Sequence, residues 1–364
     1  MTLTREQSLL LRGTCIISIC LHNLLHLKSK VYECEFVFNN ARVENLFSHT
    51  PTSAWDVFDY IFSFWGWYGV CIFMFLSGYG LVMKYEVKGQ SLSPLIYILR
   101  NYLKLFLLMV IPLTTMYAGH IFSIEALEHL TFTINLIDPG NITPGVYWYF
   151  GLTFQFYLLY LIFYYKRGEY WLYAASMLSI VLVFYFEVRE PLSLYYSRHN
   201  SIGWLMVFLF GVWYARGGHE NRIINMIFSH RTASIGLFGA LWLYSSINSY
   251  IWVISPFFFI LACLLLVQKK SVPRSSQEGE QAQTLLGRAC HYIGRGAIYL
   301  GVISAGIFAW HPVFRVYSYL AMDKGFDLRL ITPIYLIVSI LVAALFTPLY
   351  KKMTKWTFKV LHLK

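Results

Sequence analysis

Long apolar runs, separated by short polar segments, divide this chain from end to end. They lie at residues 8–27, 59–83, 95–118, 146–165, 171–188, 201–215, 232–248, 251–268, 297–315 and 330–349. The runs are continuous and lack the alternation of period two that is typical of strands. A segment inside lipid must satisfy its own backbone hydrogen bonds, so runs of this length must be helices. The pattern therefore predicts an all-α fold, a polytopic membrane bundle of about ten transmembrane helices.

Composition supports a protein embedded in a lipid bilayer. Hydrophobic residues make up 57% of the 364 positions and charged residues only 13%, about half of the charged share of a soluble domain. The net charge of +11 invites comparison with nucleic-acid binders, but the basic residues are spread between the apolar runs instead of forming one patch. We therefore expect the bilayer as a partner and no nucleic acid.

The distribution of Lys and Arg predicts the topology. If the N-terminus is cytoplasmic, most of the 29 basic residues fall in cytoplasmic segments, as the positive-inside rule requires. Both termini are then cytoplasmic, and the first apolar run is expected to be an anchor helix, not a cleaved signal. Residues 1–364 are expected to form a single integral membrane domain, with a flexible cytoplasmic linker at about 269–284 and a large external loop at 28–58.

The cysteines predict neither a disulfide framework nor a metal site. No Cys-x-x-Cys spacing occurs, and most of the cysteines lie inside apolar runs, so a thiolate zinc site is not expected. The six residues are Cys15, Cys20, Cys34, Cys71, Cys263 and Cys290.

The first apolar run contains the polar residues that most suggest chemistry. Polar groups inside lipid are costly and are therefore functional candidates. Arg12 lies near the cytoplasmic end, and His22 and His26 share one helix face further out, with Asn23 between them. His22 is about 15 Å along the axis from Arg12, so the cation could hold an anionic donor while an imidazole acts at its reactive end. The alternative is that the histidines only bond neighbouring helices. In the ninth run, His311 is expected at the depth of His22.

The second and third runs add a serine and two cations. Ser77 precedes Gly78 toward the cytoplasmic end, where a small pair permits close helix approach, so helix packing is the alternative to a functional role. Arg100 and Lys104 are four residues apart at the inner interface. They could bind the phosphates of a nucleotide-bearing donor, or extend to lipid phosphates as membrane anchors.

The fourth run begins with aromatic residues and contains a buried amide. Trp148 lies where an aromatic belt belongs, so anchoring at the interface is its default interpretation. Gln155 and Tyr157 lie deeper, where a glutamine needs a polar partner.

Five segments resemble the membrane-bound acyltransferase-3 family, in the same order along the chain. They read RGTCIISICLHN, FMFLSGYGL, ILRNYLKLF, VYWYFGLTFQFYLLY and IFAWHPVF. The resemblance covers most of the chain and implies about ten helices. It also implies transfer of acetyl or related groups from cytoplasmic acyl-CoA to sugars of cell-surface polysaccharides or their lipid-linked precursors.

The same resemblance implies roles for particular residues. His22 would be the catalytic histidine, as general base or as acyl carrier, and Arg12 its basic partner. Ser77 would match the family's Ser-Gly pair, and Arg100 with Lys104 its basic pair. Three departures stand out. Only nine residues separate Arg12 from His22, where the family usually has ten, so His22 falls about 80° short of the face above Arg12 and Asn23 stacks over it. Gln155 replaces an acidic residue, and the basic pair is Arg-x-x-x-Lys.

The prediction is an acyl-CoA-dependent O-acyltransferase of a bacterial inner membrane, with acetyl as the expected group. Acyl-CoA would be a donor substrate, not a permanently bound cofactor, and a glycan or lipid-linked glycan would be the acceptor. The alternative is a transporter or flippase for a glycan or its lipid carrier, with histidines that relay protons or bind substrate. His22 and His311 are the predicted catalytic residues. The predicted substrate-binding residues are Arg12, Asn23, His26, Ser77, Arg100, Lys104, Trp148, Gln155 and Tyr157.

Overall fold

A computed structural model describes residues 2–33, 36–90, 92–117, 124–137, 145–268 and 285–363. Every regular element within these ranges is helical, which confirms the all-α prediction. The helices are α1 (Arg5–Leu25), α2 (Asn40–Ser48), α3 (Ala54–Trp65), α4 (Gly69–Val82), α5 (Pro94–Met116), α6 (Ile124–Thr131), α7 (Ile134–Ile137), α8 (Trp148–Leu159), α9 (Glu169–Arg189), α10 (Pro191–Arg198), α11 (Ser201–Ala215), α12 (Arg222–Ser229), α13 (Arg231–Ser246), α14 (Ser255–Val267), α15 (Leu285–Asp323) and α16 (Leu328–Val360). The predicted linker at 269–284 lies outside the described residues.

Each predicted apolar run is helical over most of its length. Within the described part of the chain, six segments are long and apolar enough to cross a membrane: Arg5–Leu25, Ala54–Val87, Pro94–Met116, Glu169–Arg189, His291–Asp323 and Leu328–Val360. Two shorter apolar helices, Ser201–Ala215 and Trp252–Val267, accompany them. The chain is thus a helical protein with several apolar, membrane-length helices. The count of ten spans and the orientation of the termini stay predictions.

Helix α1 lies against α15, and the two run parallel. In the first half of α1, a Cβ added to Gly13 would overlap the carbonyl oxygen of Ala297, so only glycine permits this approach. Near its end, the Tyr319 hydroxyl donates to the Asn23 carbonyl at 3.0 Å. Both sequence positions increase together, which defines the parallel arrangement. His311 therefore lies beside the later turns of α1.

Helices α4 and α11 also approach each other through glycines. A Cβ on Gly78 would overlap the carbonyl oxygen of Phe208, and one on Gly211 would overlap that of Phe75. These reciprocal contacts place the two backbones at a separation that no larger side chain allows. The small residue beside Ser77 therefore has the packing role that the sequence offered as an alternative.

Aromatic side chains fill the core between α4, α8, α11 and α14. Trp67, Trp204 and Trp252 are among the largest fully buried side chains. Trp148 is only 3% exposed and stacks on Trp204, with ring centroids 6.2 Å apart. The expectation that Trp148 anchors the bundle in an interfacial belt is wrong, because α11 covers it.

The carboxylate of Glu86 links the ends of three helices through hydrogen bonds. Glu86 lies in a π-helical turn, Met83–Val87, that follows α4. Its carboxylate accepts from the Arg216 guanidinium at 2.7 and 2.8 Å and from the Tyr160 hydroxyl at 2.7 Å. Tyr160 itself opens a second π-helical turn, Tyr160–Tyr164, after α8. This paired, fully bonded cluster joins α4, α8 and the end of α11.

Candidate active site

Two stacked histidines lie at the end of α1. His22 is 3% exposed, and its Nδ1 lies 3.2 Å from the Phe62 carbonyl oxygen on α3. His26 places Nδ1 2.7 Å from the carbonyl oxygen of His22. The two imidazole rings are nearly parallel, with centroids 4.6 Å apart. The spacing of four residues therefore brings the two histidines together, as the sequence pattern indicated.

These hydrogen bonds determine which ring nitrogen carries the proton. A carbonyl oxygen only accepts, so in the neutral imidazole Nδ1 must be the donor and Nε2 carries the lone pair. The same reasoning applies to His311, whose Nδ1 lies 3.2 Å from the Ile307 carbonyl oxygen. In all three neutral histidines the lone pair thus lies on Nε2, which is the tautomer that general-base or nucleophilic chemistry at Nε2 needs.

His311 lies on α15 and is fully buried, with 0% of its surface exposed. Its Nε2 has no hydrogen-bond partner among the described residues. A buried acceptor left unpaired costs about 1–3 kcal/mol. His311 is therefore a buried imidazole whose acceptor nitrogen, Nε2, has no hydrogen-bond partner in the described structure.

Arg315 lies one helical turn beyond His311 and was not among the predicted residues. It is close enough to interact electrostatically with both His26 and His311. Its Nη1 lies 3.4 and 3.5 Å from the side-chain and main-chain oxygens of Asn23, at the long limit of a hydrogen bond. Arg315 and Asn23 thus join the histidines of α1 to His311. The four-residue spacing that singled out His22 and His26 could have found the pair His311 and Arg315.

The other predicted polar residue of α1, Arg12, lies in a second group. Its side chain is half-buried, and its Nε has no partner in the described part of the chain. Tyr149 and Tyr157 of α8 lie near enough to interact with it electrostatically. Tyr149 is also within hydrogen-bonding reach of Ser77. The structure therefore brings Arg12, Ser77 and Tyr157 together around Tyr149, which the sequence did not single out.

The two groups lie at different ends of α1. This helix is uninterrupted from Arg5 to Leu25, so about 15 Å separate Arg12 from His22 along its axis. The side chains of the adjacent residues His22 and Asn23 face different helices, His22 toward α3 and Asn23 toward α15. A substrate that contacts both ends must therefore be elongated.

The chain matches a known protein family over most of its length. The profile of the acyltransferase-3 family, described as an acyltransferase domain, matches residues 10–348, a range that includes both polar groups. The chain belongs to the acyltransferase-3 family. No curated protein and no solved structure matches it. As an acyltransferase, it needs a site for an activated acyl group, a base or nucleophile, and a place for the acceptor.

A basic pocket lies between α5 and α16, at the inner end predicted for the donor. It has a volume of about 430 Å³ and is lined by Lys104, Tyr350, Lys351, Thr354, Lys355 and Phe358. The charged groups of Arg100 and Lys104 lie 5.3 and 5.9 Å from the centre of the Phe358 ring. The sequence predicted Arg100 and Lys104 but missed the lysines of α16. Their signal was the basic segment KKMTKWTFK, which extends beyond the last apolar run.

The side chain of Gln155 is hydrogen-bonded to the start of α11. Its Nε2 donates to the Asn200 side-chain oxygen at 2.7 Å, and its Oε1 accepts from the Ser201 backbone N–H at 2.9 Å. Both ends of the amide are thus bonded to the start of α11. Gln155 has the polar partner that its depth required, and its predicted substrate contact stays a prediction.

The cysteines and other metal-binding side chains are dispersed. Across the described ranges, no group of three or more His, Cys, Asp or Glu residues is placed to hold a metal ion. Four cysteines are free thiols: Cys15, Cys20, Cys71 and Cys263. The side chains of Cys34 and Cys290 lie outside the described part of the structure.

Proposed function

We propose that this acyltransferase moves an acyl group, with acetyl as the expected one, from cytoplasmic acyl-CoA to a hydroxyl of a cell-surface polysaccharide or lipid-linked glycan. The observation that carries the proposal is the arrangement of α1, with a cation at one end and basic imidazoles about 15 Å away at the other. Both groups lie within the range that matches the family. The predicted location is the inner membrane of a bacterial cell.

The donor would bind at the end of the bundle that holds the basic pocket. Arg100, Lys104, Lys351 and Lys355 offer several cations to the phosphates of CoA, and charge-assisted bonds to phosphate are among the strongest in proteins. The flexible arm of CoA would then extend past Arg12 toward the histidines. In the predicted topology this pocket faces the cytoplasm, where acyl-CoA is found.

The acyl transfer can then be written in one of two ways. In the first, Nε2 of His22 takes the proton of the acceptor hydroxyl while the hydroxyl oxygen attacks the thioester carbon. The C–S bond breaks, and CoA leaves as a thiolate that takes up a proton. In the second, Nε2 attacks the thioester carbon itself, the C–S bond breaks and CoA leaves as a thiolate. The acceptor hydroxyl then attacks the acyl-imidazole, the N–C bond breaks to regenerate the imidazole, and the hydroxyl proton passes to the thiolate. Both need a lone pair on Nε2, and the contact of Nδ1 with the Phe62 carbonyl oxygen supports that tautomer.

Purified protein in lipid vesicles, supplied with radiolabelled acetyl-CoA and a bacterial glycan acceptor, would test the proposal. We expect release of CoA that depends on the acceptor, and label in the glycan. Movement of the glycan across the vesicle membrane without CoA release would instead support the transporter alternative.

The donor site has its own test. Reversal of both charges, in Arg100→Glu with Lys104→Glu, should raise the KM for acetyl-CoA about tenfold or more per residue, because each phosphate contact contributes about 1.5–3 kcal/mol. Lys88→Glu is a matched control, since Lys88 is an exposed cation outside the pocket. An unchanged KM in the double variant would assign Arg100 and Lys104 to lipid anchoring.

A further inference from the structure

The guanidinium of Arg315 is partly buried among neutral groups and poorly bonded. Its Nε has no hydrogen-bond partner within the described ranges, and its two contacts to Asn23 are long. A cation taken out of water normally gains a carboxylate or several good hydrogen bonds in exchange. The fold therefore places the Arg315 guanidinium beside the histidines and leaves part of its hydrogen-bonding capacity unsatisfied.

The ion pairs near this end of the bundle involve other cations. Glu33 is paired with Arg42 at 2.8 Å, and Asp323 lies 3.5 Å from Lys28. Asp59 accepts from the hydroxyls of neighbouring serines. Among the described residues, the ion pairs thus do not include Arg315, which remains available to a substrate.

The groups around Arg315 come from several elements and are neutral when their imidazoles are unprotonated. They surround the guanidinium with aromatic hydroxyls and imidazoles instead of carboxylates, so the local environment does not cancel its charge. The groups with which it interacts electrostatically or by hydrogen bonding are Asn23 and His26 from α1, Tyr147 before α8, His311 and Tyr319 from α15, and Tyr335 from α16.

We propose that Arg315 binds the carbonyl oxygen of the acyl group and stabilises the negative charge that forms there during transfer. This inference rests on the proposed acyl transfer. When the hydroxyl oxygen attacks the thioester carbon, the carbonyl electron pair moves onto its oxygen. The guanidinium N–H groups donate to that oxygen until the pair returns and the C–S bond breaks, leaving the charge on sulfur.

Position and chemistry both support this assignment. Arg315 lies near His26, whose ring stacks on His22, so donor and base converge from α15 and α1. His311, one turn away, offers an acceptor nitrogen on the same helix. A fixed donor in a water-poor site acts on developing charge far more strongly than a donor in water.

The test compares Arg315→Gln and Arg315→Lys with the parent protein in the acetyl-CoA assay. Removal of one oxyanion donor typically costs 10²–10³-fold in kcat, so we expect a loss of about that size in Arg315→Gln, with a smaller loss in Arg315→Lys. The KM for acetyl-CoA should stay within about twofold, and inhibition by free CoA, which lacks the carbonyl, should be unchanged. Arg329→Gln, at an exposed position of α16, is the matched control.

Added guanidinium ion supplies a readout that a structural role would not change. It should restore part of the turnover of Arg315→Ala but leave Arg329→Gln unaffected. An unchanged kcat in Arg315→Gln would overturn the proposal. So would weakened CoA inhibition that accounts for the whole loss, since Arg315 would then hold the donor instead of the oxyanion. Parent protein that transfers no acyl group would refute the proposed function itself, which is a separate outcome.

Discussion

Replacing His22 by glutamine separates proton transfer from hydrogen bonding at the end of α1. A glutamine amide N–H can reach the Phe62 carbonyl that Nδ1 of His22 contacts at 3.2 Å. The amide oxygen, however, does not accept a proton near neutral pH, and it is a poor nucleophile. The variant therefore keeps the structural bond while it loses the basic nitrogen.

The expected losses of stability and of rate differ in size. His22→Gln removes the ring stack with His26, which is worth about 0.5–1.5 kcal/mol, so the protein should still insert and fold. Loss of a general base costs about 10²–10⁴-fold in rate. That range corresponds to about 2.7–5.4 kcal/mol of transition-state free energy. The defect in turnover should therefore exceed anything that the lost stack explains.

His26→Gln is the matched control, because it removes the same ring stack from the other side. Turnover of radiolabelled acetyl-CoA, measured in vesicles at equal protein content, should collapse in His22→Gln and fall only mildly in His26→Gln. Equal losses in the two variants would assign the effect to the stack. Near-normal turnover in His22→Gln, with loss in Asn23→Ala or His311→Ala, would refute the assignment and place the reactive group on the face above Arg12 or on α15.

Three further predictions concern the scaffold and its orientation. Gly78→Val should force α4 from α11 and lower the free energy of unfolding by about 1–3 kcal/mol, visible as a lower Tm in detergent; Gly80→Val, at a position with open space, should have little effect. Gln155→Leu should leave the partly buried groups of Asn200 and Ser201 without their hydrogen bonds, at a cost of about 1–3 kcal/mol; it should lower the Tm and leave the KM for the donor nearly unchanged, and an unchanged Tm would contradict this. A reporter fused after Lys364 should be cytoplasmic and one near Glu44 external, whereas a cytoplasmic signal near Glu44 would reverse the predicted topology.

The helices could be predicted because lipid imposes a simple rule on sequence. Continuous apolar runs must satisfy their own backbone, and the run at 201–215 coincides with Ser201–Ala215. The last two runs, 297–315 and 330–349, were too short, since their helices continue to Asp323 and Val360. Hydropathy identifies only the apolar part of a helix that would lie in the bilayer. The helix itself can continue past that part through polar residues with high helix propensity.

The residues of the site were harder to predict, because hydropathy does not reveal which neighbour a helix face meets. Arg315 lies at the edge of its predicted run, where an arginine is expected to extend to the interface, yet α15 turns it toward α1 and its histidines. The predicted location of Trp148 was wrong in the opposite direction. Its position suited an aromatic belt, but α11 covers it and places it in the core. Both differences come from tertiary packing.

The guanidinium groups of Arg216 and of three other arginines differ in how they are bonded. Arg216 is fully paired with Glu86. By contrast, in the described structure Nε is buried and without a hydrogen-bond partner in Arg12, Arg100 and Arg315. Each buried donor without a hydrogen-bond partner lowers the stability of the folded protein. An elongated, anionic substrate with a reactive carbonyl would satisfy all three, since they follow the proposed path from the basic pocket along α1 to the histidines.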